Sequence, residues 1–211
     1  HKVGPDGDVT MEDSPLPITT AELSDGVKLR NGYLSPFMVT NPQRMEASVE
    51  KPLILITDYR LTNAEDVMPV LNLLAGHKDA QGRPAPLNKL VIIAEHIEDA
   101  ALATILINHP NVLNPHTGKP GIIQTTAITA PKGESAQTTL ADIALLTGAR
   151  FFSQEKGDRL ETVEISHLGK ADRVIAKRDS SVIVRPRGDK KVVQKATLDL
   201  KTAVENAQGE K

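Results

Sequence analysis

The sequence has no cysteine and no tryptophan, and aromatic residues make up only 2% of its 211 positions. Without cysteine, the chain can form neither disulfides nor thiolate metal sites. The scarcity of aromatic residues makes base-stacking surfaces nearly impossible to build, and it requires an aliphatic core. The net charge is only −2, so no strong overall field attracts nucleic acid or an acidic membrane.

The sequence also lacks long apolar runs. None approaches the roughly 20 residues of a membrane span, and the N-terminus has no apolar signal segment. We therefore expect a soluble, cytoplasmic protein (or one of an organelle matrix, if eukaryotic) that binds neither membrane nor nucleic acid. The acidic, turn-rich residues 1–27, with a short strand at 9–11, predict a connector. Residues 28–188 predict the main domain, and residues 189–211 a terminal helix and tail.

Apolar runs and helical patterns alternate along the main domain. They are strand 53–57 and helix 64–75, strand 89–94 and helix 99–108, and strand 121–129 and helix 137–147. This alternation predicts an α/β fold with a largely parallel sheet flanked by helices. Two β-rich runs follow at 161–169 and 173–186, and the second predicts an additional hairpin that turns at 178–180.

The first two helices carry more apolar residues than one core-facing stripe needs. Residues 64–74 have apolar side chains on and beside that stripe, and residues 100–107 contain one weakly polar residue, Thr104. A surface helix normally has a polar back, so these helices are either core or expose apolar surface to a partner. The second alternative predicts a groove that binds extended apolar peptide. Its predicted lining is Met68, Leu71, Leu102 and Leu106.

A second candidate site lies at the carboxyl ends of the predicted strands, where ligands bind in parallel α/β sheets. Asp58, Glu95 and His96 would gather there, with Ser135 nearby, and such side chains suit a divalent metal ion. A metal-dependent hydrolase is thus one alternative function. The other interpretation is that Asp58 and Glu95 bond loop amides while His96 is exposed. No phosphate loop or nucleophile elbow accompanies these residues.

Loops 76–88 and 109–120 are long for helix-to-strand connections, which usually take about 2–6 residues. Their Gly, Pro and Asn content predicts mobile, dispensable loops, with His109 and His116 on the loop surface.

Residues 170–195 carry nine Lys or Arg against three Asp, but no aromatic residue. We interpret this segment as a solvated face rather than a nucleic-acid site.

Six stretches in the same order carry a resemblance to a known family. They are VGPDGDVTMED (3–13), NGYLSPFMVTNP (31–42), PLILITDYRLTNAEDVMPVL (52–71), LVIIAEHIEDAALATILIN (90–108), TAPKGESAQTTLADIALLTGA (129–149) and LGKADRVIAKRDSSVIV (168–184). These stretches resemble the apical, substrate-binding domain of group I chaperonins, the GroEL-like family. The resemblance implies a molecular chaperone domain that captures exposed hydrophobic segments of non-native polypeptides and binds a lid co-chaperonin on the same apolar surface.

The resemblance also implies which residues form that surface and what this chain lacks. The implied polypeptide-binding residues are Tyr33, Phe37, Met38, Met68, Leu71, Leu102, Leu106 and Ile107. ATP and Mg²⁺ belong to the family's equatorial domain, which has no counterpart here, so we expect no cofactor and no catalysis in this chain. The parent would be a homo-oligomeric ring, and this fragment a monomer with a remnant of the intermediate domain at 3–13. A scaffold that binds one specific partner remains an alternative.

Several departures from the family pattern indicate a divergent paralogue or an unusual lineage. Asn31 stands where the family usually has Arg, and Asn41 where Lys is common. Residues 132–139 replace a glycine- and arginine-rich stretch, and the loops 76–88 and 109–120 resemble insertions. These differences leave the family's ring allostery an open question for this chain.

Overall fold

The computed structural model of the chain describes residues 26–131, 133 and 136–198. The predicted connector up to residue 25, with its short strand at 9–11, lies outside the described residues, as do Ser135 and the tail from residue 199.

Ten strands and three complete helices form the described domain. The strands are β1 (Gly26–Leu29), β2 (Ala47–Glu50), β3 (Leu53–Thr57), β4 (Arg60–Leu61), β5 (Lys89–Ala94), β6 (His96–Ile97), β7 (Gln124–Thr129), β8 (Phe151–Phe152), β9 (Gly169–Ala176) and β10 (Ser181–Pro186). The helices are α1 (Ala64–Ala75), α2 (Asp99–Ile107) and α3 (Ala136–Thr147). Short 3₁₀ turns are η1 (Pro36–Met38), η2 (Leu160–Thr162) and η3 (Ile165–His167). Residues 190–198 are also helical.

Eight of the strands form one mixed sheet in the order β1-β10-β9-β3-β5-β7, with β2 beside β9 and β8 beside β3. One half is parallel, because β5 pairs in parallel with β3 and β7, and β8 with β3. The other half is antiparallel and contains β1, β10, β9 and β2. The α/β architecture and the hairpin of β9 and β10 are therefore confirmed, whereas the sheet is only half parallel.

Burial explains the two halves. All five residues of β3 are buried, and so are five of the six in β5, as strands covered on both faces require. Buried and more exposed positions instead alternate through much of β9 and β10, the pattern of strands with one solvated face. The continuous apolar runs of the parallel half are the clearest strand signals in the sequence.

Two of the predicted strands differ clearly from the structure. The run at 161–169 forms the turns η2 and η3, and only Gly169 belongs to a strand. Strand β7 begins at Gln124 rather than at residue 121, because Gly121 lies against the backbone of Asn108, where a Cβ atom would approach the carbonyl carbon to 1.9 Å. Helix α3 ends as predicted, at Gly148, whose φ of 72° is the left-handed conformation that suits a helix C-terminus.

Candidate functional site

The two apolar helices start side by side because a small parallel sheet joins the segments before them. Strand β4 precedes α1 and β6 precedes α2, with Leu61 paired to Ile97. The Glu98 amide, at the N-cap of α2, donates to the Leu61 carbonyl at 2.8 Å. The two helices also contact each other.

Helix α1 buries one full stripe. At its start, the Asp66 carboxylate accepts hydrogen bonds from the amides of Thr62 at 2.7 Å and Asn63 at 2.9 Å. A negative charge in the first turn also interacts favourably with the helix dipole. The buried residues recur at helical spacing and are Val67, Val70, Leu71 and Leu74.

Leu71 and Met68 differ sharply in exposure although both were expected to line the groove. Leu71 is only 3% exposed, so the expectation that it lines an exposed groove is wrong. Met68 is 37% exposed, because its position on the helix turns it away from the buried stripe.

Helix α2 buries much less. Only Ala101 and Ile105 are fully buried. Leu102 and Leu106 are half-buried and pack on the edge of the core, and Ile107 is half-buried. The helix therefore presents three large aliphatic side chains at the boundary between core and solvent.

The segment before β2 lies on the parallel half of the sheet. Tyr33, half-buried, bridges to Ile128 of β7, and the Leu34 amide donates to the Ala127 carbonyl at 3.1 Å. Ser35 caps η1 by accepting a hydrogen bond from the Phe37 amide at 3.3 Å.

Two adjacent residues of η1 point in opposite directions. Phe37 is 61% exposed, whereas Met38 is fully buried, with its sulfur accepting from the Ala127 amide at 3.3 Å. The expectation that Met38 belongs to an exposed binding surface is thus wrong, because the turn directs its side chain into the core.

Six of the eight expected residues keep some exposure. We call them the two-helix surface, which consists of Tyr33, Phe37, Met68, Leu102, Leu106 and Ile107. Met38 and Leu71 lie beneath it as core residues. Its most exposed side chains are Phe37 and Met68.

The loop 109–120 contributes a contact that the sequence did not indicate. The Asn111 side-chain amide donates to the carbonyls of Phe37 and Val39, both at 3.1 Å. Asn111 thereby joins the end of α2 to η1. No sequence signal distinguishes it from an ordinary turn-forming asparagine after proline.

His109 is only 1% exposed, so the prediction that it lies on the loop surface is wrong. His116 is exposed, as predicted. The His109 Nδ1 accepts the Asn111 amide at 3.1 Å, and its Nε2 has no hydrogen-bond partner within the described part of the chain. Burial lowers the pKa of His109 below 6.5, because a charged imidazolium would be poorly solvated there.

The carboxyl ends of the parallel strands open on a cavity of about 590 Å³, with Asp58, Arg60, Glu95 and His96 in its lining. Asp58 accepts from the Ser153 hydroxyl at 2.6 Å and from the Gln154 amide at 2.7 Å. The loop-bonding interpretation of Asp58 is therefore confirmed, and its carboxylate is engaged by this chain's own donors. Among the described residues, no three His, Asp or Glu side chains are grouped so that they could hold a metal ion.

A small polar cluster supports the wall of that cavity. Asp158 accepts hydrogen bonds from the Ser153 amide and from the Arg150 guanidinium, and both keep its pKa below the ordinary value. The Tyr59 hydroxyl donates to the Asp158 carbonyl, and burial raises the pKa of that phenol. These contacts hold the segment after β8 in place.

The basic segment 170–195 is partly neutralised by nearby acids. Arg173 pairs with Glu50 at 2.9 Å, and Arg187 pairs with Asp172 at 2.5 Å.

In the described ranges, no helix has the length and apolar character that crossing a membrane requires. No protein-family model matches the sequence.

Proposed function

We propose that this chain is a chaperone domain that captures exposed hydrophobic segments of non-native polypeptides on the two-helix surface. The observation that supports this proposal is that Phe37 is 61% exposed and Met68 is 37% exposed, although Met38 and Leu71 close by in the sequence are buried. The core beneath is complete without them. Large apolar side chains that the core does not use serve a partner better than they serve the fold.

The geometry suits adaptable recognition of extended segments. Helices α1 and α2 contact each other, and an extended segment would lie across them against Met68, Leu102 and Leu106. Met68 adds a flexible, polarisable side chain that adjusts to different partners. Burial at about 25 cal/mol/Å² gives several kcal/mol from a few anchors, and ordering costs reduce that free energy, so one domain should bind an extended segment weakly.

The resemblance to chaperonin apical domains supports the same proposal. By that resemblance, a lid co-chaperonin would bind the two-helix surface in competition with client segments. Tighter capture would come from several copies in a ring, since linked sites raise the effective concentration. We assign no nucleotide chemistry and no catalysis to the described residues.

The test removes exposed apolar atoms without touching the core. Phe37→Ser and Met68→Ser should each weaken binding of an extended peptide of alternating leucine and serine by about tenfold, equivalent to about 1.4 kcal/mol. Val192→Ser is the matched control, since Val192 is 48% exposed but lies on the separate helical segment 190–198. Fluorescence anisotropy gives the affinity, and a urea midpoint on the same samples reports stability.

Two results would contradict the proposal. If all three variants kept the wild-type affinity, the surface would not be the site that binds the peptide. Loss of stability in proportion to affinity would show that these side chains belong to the core. A panel of unrelated unfolded proteins then separates promiscuous capture from the scaffold alternative, which predicts one partner only.

A further inference from the structure

The loop 109–120 is joined to the two-helix surface by one side chain. Asn111 donates to the carbonyls of Phe37 and Val39. Those carbonyls lie at the end of η1, where a short 3₁₀ turn leaves acceptors that nothing inside the turn can satisfy. Asn111 therefore completes the hydrogen bonding of the turn that carries Phe37.

The internal contacts of this turn include the Ser35 hydroxyl, which accepts from the Phe37 amide. Its backbone bonds are those from the Met38 amide to Ser35 and from the Val39 amide to Pro36, at 3.0 and 3.1 Å. Met38 anchors one side of the turn in the core. Phe37 itself is largely exposed, so its direction depends on the backbone on either side of it.

Asn111 is in turn held by a buried residue. Its backbone amide donates to Nδ1 of His109. His109 follows the end of α2 and is only 1% exposed. The His109 amide donates to the Leu106 carbonyl at 2.9 Å, which continues the end of the helix. A chain of contacts thus runs from α2 through His109 and Asn111 to Phe37.

We propose that Asn111 is a positioning residue of the two-helix surface, which holds η1, and with it the exposed Phe37, to the loop that follows α2. This inference rests on the proposed function. It assigns a role to the insertion-like loop, which composition had marked as dispensable. The loop acts on binding through Phe37 and not through a contact of its own.

The test is a double-mutant cycle with the same alternating leucine and serine peptide. Asn111→Ala should weaken binding about three- to tenfold in the wild-type background, as the loss of one or two hydrogen bonds allows. In the Phe37→Ser background the same change should have almost no effect, because the side chain that it positions is gone. Asn114→Ala is the matched control, since the Asn114 side chain accepts from the amides of His116 and Thr117 in the loop's own tip.

A second measurement does not depend on binding. Amide exchange at Met38 and Val39, followed by NMR, should be about tenfold faster in Asn111→Ala and unchanged in Asn114→Ala. Full affinity in Asn111→Ala, or the same loss in the Phe37→Ser background, would overturn the inference. If wild-type protein binds no peptide, the proposed function fails, and unchanged exchange would then overturn the positioning role as well.

Discussion

Two successive helix–loop units, α1 with loop 76–88 and α2 with loop 109–120, differ in how the helix and its loop are attached to the domain. Helix α1 buries four apolar residues and its loop closes on itself. Asp79 accepts hydrogen bonds from the amides of Gln81 and Arg83 and from the Arg83 guanidinium, and this set of contacts lowers its pKa. The tip of this loop is therefore held by local contacts, and its end joins the sheet, since the Gln124 amide of β7 donates to the Asn88 carbonyl at 2.8 Å.

The second unit depends on its loop. Helix α2 fully buries only two residues, and the loop that follows sends His109 into the interior and Asn111 to η1. A helix with few buried side chains gains its attachment from the residues beyond its end. This arrangement leaves Leu102, Leu106 and Ile107 at the boundary between core and solvent.

The largest expected effect lies in the first helix. Leu71→Ala should cost about 2–5 kcal/mol of unfolding free energy, because it leaves a cavity under α1. Leu102→Ala should cost about 1 kcal/mol, since its side chain is only half-buried. Urea denaturation with a common slope gives both values. Equal costs would mean that the two helices are packed alike and that the comparison is wrong.

Replacing each loop should distinguish the two units by their melting temperatures, with a smaller effect than the Leu71 change. The ends of both loops already meet, since the Ile123 amide donates to the Asn108 carbonyl at 3.0 Å and the Ala85 amide to the His77 carbonyl at 2.9 Å. A glycine–serine connector in place of residues 110–120 should lower the melting temperature by about 3–8 °C through loss of the Asn111 contacts. The same connector in place of residues 78–84 should change it by about 2 °C or less.

Calorimetry on the two loop variants is the measurement. A similar, small shift in both would support the prediction made from composition, that neither loop matters for folding. A large shift in the 78–84 variant would show that the first unit also depends on its loop.

The strands and helices with clear hydrophobic periodicity could be predicted from the sequence. Strands β3 and β5 and helices α1 and α2 lie within a residue or two of their predicted ranges, because continuous apolar runs and helical spacing are strong local signals. Strands β1 and β2 were not predicted. Each has four residues and is defined by pairing with distant β10 or β9, which no local pattern reveals.

The site was harder to predict because exposure changes within a few residues. Met38 and Phe37 are adjacent, and Leu71 and Met68 are three apart, yet one of each pair is core and the other is exposed. Sequence placed all four on one surface, since their apolar character is the same. The burial of His109 and the reach of Asn111 depend on a backbone path that composition does not encode.

The smallest expected effect is a pH dependence that belongs to the second unit alone. The folded pKa of His109 lies below its unfolded value of about 6.5 because the ring is buried. As pH falls through 6.5, the unfolded chain takes up this proton first, so folding stability decreases. The contribution of His109 to folding stability is complete above pH 6.5 and is lost between that value and the lower folded pKa.

A neutral ring that accepts at Nδ1 carries its proton on Nε2, so protonation must occur at Nδ1 and break the bond from the Asn111 amide. His109→Asn keeps an acceptor near Nδ1 but cannot titrate. The difference between the wild-type and His109→Asn unfolding free energies, measured from pH 7.5 to about 5, should therefore shift against the wild type as the solution is acidified. A difference that stays constant would show that His109 titrates alike in both states, and that the second unit is not held by a buried neutral imidazole.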